Sequence, residues 1–597
     1  MSTMNDTKAA LADSDGPTND DPVNKTGTFV GDHQATGQPF GVDEEVGQLQ
    51  LHRNLKGRHM QMIAIGGAIG AGLFVGSGGA FQNGGPASVF LGFLIVGELY
   101  LMMQAVAELT VMYPINGAFT MYICRFVDPS FGWACGIEYA ISWLTVLPFE
   151  VSAACNIIHY WPGSEGINNS AWIVPLLVAL VVIQFFGVRG YGEASSTHRG
   201  RPQVEFVLSA MKVTACTGFI ILGIIINCGG VPTDDRGYIG GRYWHDPYPA
   251  FLNGFQGFCS VFVTAAFAYT GTELTGLAAA ETVDPKKEIP RASKQVAWRI
   301  GIFYVVNLLL VGLIVPANSP LYQGEGSESR RSPFVIAIQL AGIKVLPSIF
   351  NTVILIAVMS VANSCTFWLD SNTSGSRCER CVLTRMFPKF MAYIDKKGRP
   401  VPVVILQLLF GLLAFINLAE NGGTVFNWLL SLSGLTILFV YGGIALAHIR
   451  FRKAWAAHGH TLDELPYKAS FGVWGSWVCF IICALALIAQ FYVALYPVGG
   501  PNLDASTFFQ LYLAGPLLIF LYAVWKVYSW FFERDHSPLF IRSKDIDIYT
   551  GMREQQQHIS GPGLSAEQRR AAIAETYEEK EKRSVGAYFK DAIRSII

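Results

Sequence analysis

Stretches of roughly 20 apolar residues recur along this chain, near positions 60–82, 86–112, 131–160, 171–188, 205–228, 254–279, 297–316, 334–367, 401–418, 424–448, 473–496 and 508–532. A helix of about 20 residues is what crosses the ~30 Å hydrocarbon core of a bilayer. The expected fold is therefore an all-α polytopic membrane protein with twelve transmembrane helices. Composition agrees: of 597 residues 51% are hydrophobic and 15% charged, and mean hydropathy is +0.36 despite two polar ends. A net charge of -1 leaves no basic face for nucleic acid. The eleven cysteines lie mostly inside apolar spans and form no spaced disulfide framework, so they read as small buried apolar residues. Cys378 and Cys381 have C-x-x-C spacing, but a structural zinc site needs four ligands and no second pair is near. Neither a metal nor a cofactor is expected.

Residues 1–54 are rich in Asp, Asn, Thr and Gly, too polar to bury a core, and read as a disordered tail without the features of a secretory signal. Residues 55–532 hold the spans, and residues 533–597 form a charged tail. The last twelve residues of that tail are weakly amphipathic. They suit contact with membrane lipid or a cytosolic regulatory partner, or simple solvation. An even number of crossings puts both termini on one side. One set of loops carries Arg189, Arg199, Arg201, Lys286, Lys287, Arg291, Lys396, Lys397, Arg450 and Arg452, whereas the other carries little beyond Arg236, Arg242, Arg330 and Arg331. By the positive-inside rule both tails are expected in the cytosol, with the sequon at Asn168 on the outer side.

Inside hydrocarbon every peptide group must be satisfied, so an unwound stretch survives only where it is buried or lines a cavity. Gly66, Gly67, Gly70 and Gly72 weaken the middle of the first span, and the run Tyr269, Thr270, Gly271, Thr272, Glu273 does the same in the sixth. Paired interruptions in two halves of a transporter mark its binding site, because half-helix ends bring opposite dipole poles to the midplane. An α-amino acid fits such a site. Its carboxylate would take backbone N–H groups of Gly70, Ala71 and Gly72, and its ammonium the carbonyls of Phe267 and Thr270. The competing reading of Gly66 and Gly70 is a small-residue packing seam between helices.

The glycine motif, the segments GELYLMMQAVAELTVMYP (97–114), FVTAAFAYTGTELTGLAAAE (262–281), PKFMAYIDKKGRPVP (388–402) and DIDIYTG (545–551) together resemble the fungal amino-acid permeases of the amino acid, polyamine and organocation superfamily. The resemblance spans about residues 50–555. It implies a five-plus-five inverted repeat of the leucine-transporter type with two further helices, and proton-driven amino-acid uptake at the plasma membrane rather than enzymatic activity. It also implies that Lys212, in the fifth span, approaches the first break, where its ammonium can support the broken helix and couple transport to protons.

An ionisable residue at the bilayer centre costs about 2.5 to 3.5 kcal/mol on insertion scales and is usually functional. Besides Lys212, with no acidic residue within one turn, the spans hold Glu150 and Glu273. Glu273, on the sixth-span break, can accept the coupling proton or hold the unwound segment open. Glu150 can face the cavity and select the substrate's amine or side chain, or make a helix-packing hydrogen bond. Phe267 and Tyr269 are candidates for lining the side-chain pocket. Glu98 and Glu108 read as structural, near span ends where interfacial water lowers the cost.

Two stretches depart from the family pattern. Residues 195–204 lengthen a basic loop, and residues 368–380 read WLDSNTSGSRCER. With suitable codons, the loss of one base turns the latter into GSTRTLQALAAN, the pattern the family carries there, so a one-base shift across that stretch is the expected cause. Two other functions fit the same spans: an amino-acid-sensing receptor that keeps the fold, and a carrier of choline, polyamines or 4-aminobutyrate.

Overall fold

The computed structural model describes residues 69–114, 118–164, 167–192, 204–273, 285–319, 332–374, 401–418, 422–533, 541–552 and residue 568. Residues 51–597 cluster as one compact unit, and all of the described residues belong to it. Gly66 and Gly67, the 195–203 loop, the Cys378–Cys381 pair and most of the two tails lie outside them.

Every regular element among the described residues is helical. A π turn, Gly72–Gly76, runs into α1 (Ser77–Gly97), followed by α2 (Tyr100–Met112), α3 (Ala118–Phe126), α4 (Pro129–Ile158), α5 (Ser170–Gly192), α6 (Val204–Asn227), α7 (Gly254–Ala268) and α8 (Pro285–Ile314). Then come α9 (Pro333–Leu340), α10 (Leu346–Ser374), α11 (Val401–Gly411), α12 (Gly422–Ala457), α13 (Gly472–Leu495), α14 (Ala505–Tyr512) and α15 (Ala514–Tyr528). Seven helices among the described residues are long and apolar enough to cross a membrane, and four shorter ones are apolar. The first of the seven, Gly72–Met112, is kinked inside α1, where Gly85 adopts φ 79°. Pro86 has no N–H to give, and the loop at 250–252 supplies the missing bonds: Ala87 N–H donates to the Ala250 carbonyl at 2.9 Å and Leu252 N–H to the Gly84 carbonyl at 2.9 Å.

The outer faces confirm the medium. On α13, Trp474, Ile481, Leu485 and Ile488 recur at helical spacing and all are exposed, as are Val174, Val178 and Val182 on α5. Such apolar stripes are a liability in water and are satisfied by lipid. Inside the bundle, α4 is the central post, packed against α10, α11, α12 and α15, while α1 runs along α7.

Several boundaries differ from the apolar pattern. The eighth expected span is two helices, α9 and α10, separated at Gly342, whose φ of 69° lets the chain turn. The ninth tightens into a 3-10 stretch at Leu412–Leu418, and the twelfth divides between α14 and α15. The helix α3 was not expected, because it is only nine residues long. Arg450 and Arg452 are not loop charges: α12 is 36 residues long, about 54 Å at 1.5 Å per residue, and carries them past the apolar section.

Arg452 also corrects the reading of Glu108 as a carboxylate eased by interfacial water. Glu108 is 1% exposed. It accepts hydrogen bonds from the Arg452 guanidinium at 2.8 Å and the Ala469 N–H at 2.7 Å, and its other oxygen lies 3.0 Å from His448 Nε2. His448 Nδ1 in turn meets the Ser476 hydroxyl at 2.8 Å. Protein donors, not water, therefore balance the buried charge, and they join α2, α12, α13 and the loop before α13 at one end of the bundle. Glu98 lies exposed in the turn between α1 and α2.

At that same end the segment 541–552 lies across the helices. Ile546, Ile548 and Met552 are buried. The Tyr113 hydroxyl donates to the Ile548 carbonyl at 2.6 Å, and Arg125 donates to the Thr550 carbonyl at 2.6 Å.

Candidate functional site

The start of one helix at Gly72 meets the end of another at Ala268; residues 55–68 and 274–284, which would carry the other halves of the two expected broken spans, lie outside the described residues. Helix α7 ends at Ala268, and residues 269–273 form an irregular turn in which Gly271 has φ 99°, a conformation that suits glycine. On the other side Gly70 sits in a bend and the π turn begins at Gly72. A Cβ on Gly72 would lie 2.8 Å from the Ala268 Cα and 3.0 Å from the Phe267 ring. Glycine at 72 thus lets the start of one helix approach the end of the other, with the N-terminal pole of the first and the C-terminal pole of the second facing a common point.

Between them lies a cavity lined by Gly70, Gly72, Glu150, Phe267 and Thr270, together with Trp143, Val146 and Val361. Its free volume is about 20 Å³, room for about one water molecule. In the described conformation this space is too small for an amino acid.

Glu150 reaches this cavity from α4 and is 1% exposed. Its Oε1 is 3.1 Å from where a Cβ on Gly70 would stand, and the Ala71 N–H is directed to its carboxylate. Lys212 on α6 is wholly buried and interacts electrostatically with the same carboxylate. The acidic partner missing from its own helix thus comes from α4.

Glu273 lies behind the cavity rather than in its wall. Its Oε1 accepts from the Tyr139 hydroxyl at 2.8 Å, and its Oε2 accepts from the Tyr441 hydroxyl at 2.6 Å and from the Gly271 N–H at 2.9 Å. Two phenols and one amide converge on the carboxylate, tying the unwound turn to α4 and α12. Thr272 extends the same knot, its hydroxyl 3.2 Å from that of Tyr441. Gly271 and Thr272 do not line the cavity; they shape the turn that holds Thr270 there.

Of the two aromatic candidates, Phe267 lines the cavity and packs edge-on against Phe149 at 4.7 Å. Tyr269 does not. Its ring stacks on Tyr304 at 5.0 Å and its hydroxyl donates to the Phe93 carbonyl at 3.1 Å, so it faces away. The Phe267 carbonyl accepts the Thr270 N–H at 3.0 Å.

Sequence reading missed Tyr139, Trp143, Val146, Val361 and Tyr441. Part of this was within reach: Tyr139, Trp143, Val146 and Glu150 follow one another at four, three and four residues, one face of one helix. It also passed over Glu138, a wholly buried carboxylate that accepts from the Thr436 hydroxyl at 3.3 Å.

The profile of the amino acid permease family matches residues 59–536. Among curated proteins, the general amino-acid permease GAP1 of Saccharomyces cerevisiae is 48% identical over 85% of this chain and 81% of its own length. The cationic amino acid transporter 1 of Schizosaccharomyces pombe is 47% identical over 84% and 82%. The amino-acid permease inda1 of Hypocrea atroviridis is 45% identical over 85% and 86%. With a family match over residues 59–536 and relatives nearly half identical over more than four-fifths of either chain, the chain belongs to the amino acid permease family.

Proposed function

We infer that this chain is a secondary-active carrier that takes up α-amino acids across the plasma membrane, driven by protons and working by alternating access. What supports this reading is the start of one helix at Gly72 meeting the end of another at Ala268 beside a small cavity. A zwitterion matches the two poles: its carboxylate takes the amides of Gly70, Ala71 and Gly72, and its ammonium the carbonyls of Phe267 and Thr270. Amino-acid cargo is further supported by relatives described as a general amino-acid permease and a cationic amino acid transporter.

In this reading residues 55–532 cross the membrane twelve times, as a five-plus-five inverted repeat and two further helices, between cytosolic tails at 1–54 and 533–597. The element that moves carries the first and sixth spans, and the Glu273 knot keeps its unwound turn in register with α4 and α12. Glu273 and Lys212 carry the proton coupling, since both are buried ionisable groups beside the breaks.

Uptake of labelled L-alanine, L-leucine and L-lysine by a permease-deficient host tests the reading. Cells carrying the chain are expected to accumulate at least one of them, and a protonophore to abolish accumulation. Protein at the surface without uptake would favour the receptor, and uptake indifferent to the proton gradient would remove the proton coupling.

A further inference from the structure

One of the chain's own carboxylates takes up part of the small cavity. Glu150 directs that carboxylate at the Ala71 N–H, beside Gly70, at the start of the helical stretch that follows. Its Oε2 has no hydrogen-bond partner among the described residues, although the side chain is buried. A buried carboxylate whose second oxygen accepts no hydrogen bond and is balanced by the charge of Lys212 instead is an arrangement that a better-matched occupant can replace. The groups that face it are Lys212 on α6, Tyr304 on α8 and Cys365 on α10. Lys212 alone is a cation, so a side chain displaced from Ala71 has an ionic partner nearby.

We propose that Glu150 is a tethered stand-in for the substrate carboxylate, holding the helix amide at Ala71 while the site is empty and yielding it when an α-amino acid binds. The proposal rests on the amino-acid reading of this site and adds a competition to it. Glu150 does not attract the substrate's ammonium; it contests the place of the substrate's carboxylate. The contest keeps the empty site occupied and makes only a ligand with its own carboxylate able to complete the helix end.

The test is equilibrium binding of a labelled α-amino acid, chosen as one that wild-type cells take up, to the purified full-length protein in lipid nanodiscs. Glu150→Gln replaces a charged competitor by a neutral one and is expected to lower Kd about tenfold, the scale of one charge-assisted hydrogen bond contested or freed. The matching amine without a carboxylate should gain nothing. Glu150→Asp withdraws the carboxylate by one methylene and should also tighten binding, which keeps the test open if the glutamine variant does not fold. Unchanged or weaker binding in a folded variant would overturn the proposal; weaker binding would make Glu150 an ammonium partner instead. No binding and no uptake by the wild type would instead overturn the amino-acid reading, and the proposal with it.

Discussion

Glu273→Gln is expected to reach the cell surface in wild-type amounts and to lose amino-acid uptake by more than about tenfold, about 1.4 kcal/mol in transport free energy. Glutamine can keep most of the local geometry. Its oxygen can accept from the Gly271 N–H and the Tyr441 hydroxyl as Glu273 Oε2 does, and its NH2 can donate to Tyr139 once that hydroxyl rotates. What the substitution removes is the group able to take and release a proton. It therefore separates the two roles open to Glu273. Uptake by Glu273→Gln within about twofold of wild type would assign the residue to propping the turn alone. Tyr441→Phe is the companion variant: it deletes the 2.6 Å bond and leaves the carboxylate, so a smaller loss than in Glu273→Gln is expected.

The second large effect falls on stability. Glu108→Ala leaves the Arg452 guanidinium buried without its counter-charge and the Ala469 N–H without its acceptor. Breaking one side of a buried pair costs about 3 to 5 kcal/mol, a large share of the ~5 to 15 kcal/mol that holds a folded domain. The variant is expected to show strongly reduced surface abundance and a lowered melting temperature in detergent. Replacing both partners with apolar residues, Glu108→Leu with Arg452→Met, should recover much of the loss, because the uncompensated charge disappears along with the pair. A single variant as stable as wild type would mean that solvent, not this network, balances Glu108.

What the sequence could and could not say follows from how local each signal is. The spans were legible because hydropathy accumulates along one helix, and the bend before Gly72 and the turn at Gly271 because glycines sit where a continuous helix would use better formers. Places where a helix bends without losing its apolar character, such as Gly342 between α9 and α10, left no trace in hydropathy. Contacts between helices were hidden for another reason. The electrostatic interaction of Lys212 with Glu150 and the contacts of Glu273 with Tyr139 and Tyr441 and of Glu108 with Arg452 depend on which way each helix faces, and apolar composition all round a buried helix does not encode that. The helical spacing of Trp143, Val146 and Glu150 is the exception, a facing that residue intervals alone could have given. Tyr269 shows the limit of proximity: next to Phe267's half-turn and the break itself, it still faces Tyr304 and Phe93.

The whole account depends on a site that reads both ends of a zwitterion. Competition against a labelled α-amino acid in the permease-deficient host addresses this most directly, with three competitors of one side chain: the amino acid, its amine lacking the carboxylate, and its acid lacking the amine. The amino acid should compete fully and the other two hardly at all, because each leaves one helix pole unanswered. Equal competition by the amine would contradict the account, since the amides at Gly70, Ala71 and Gly72 would then hold nothing.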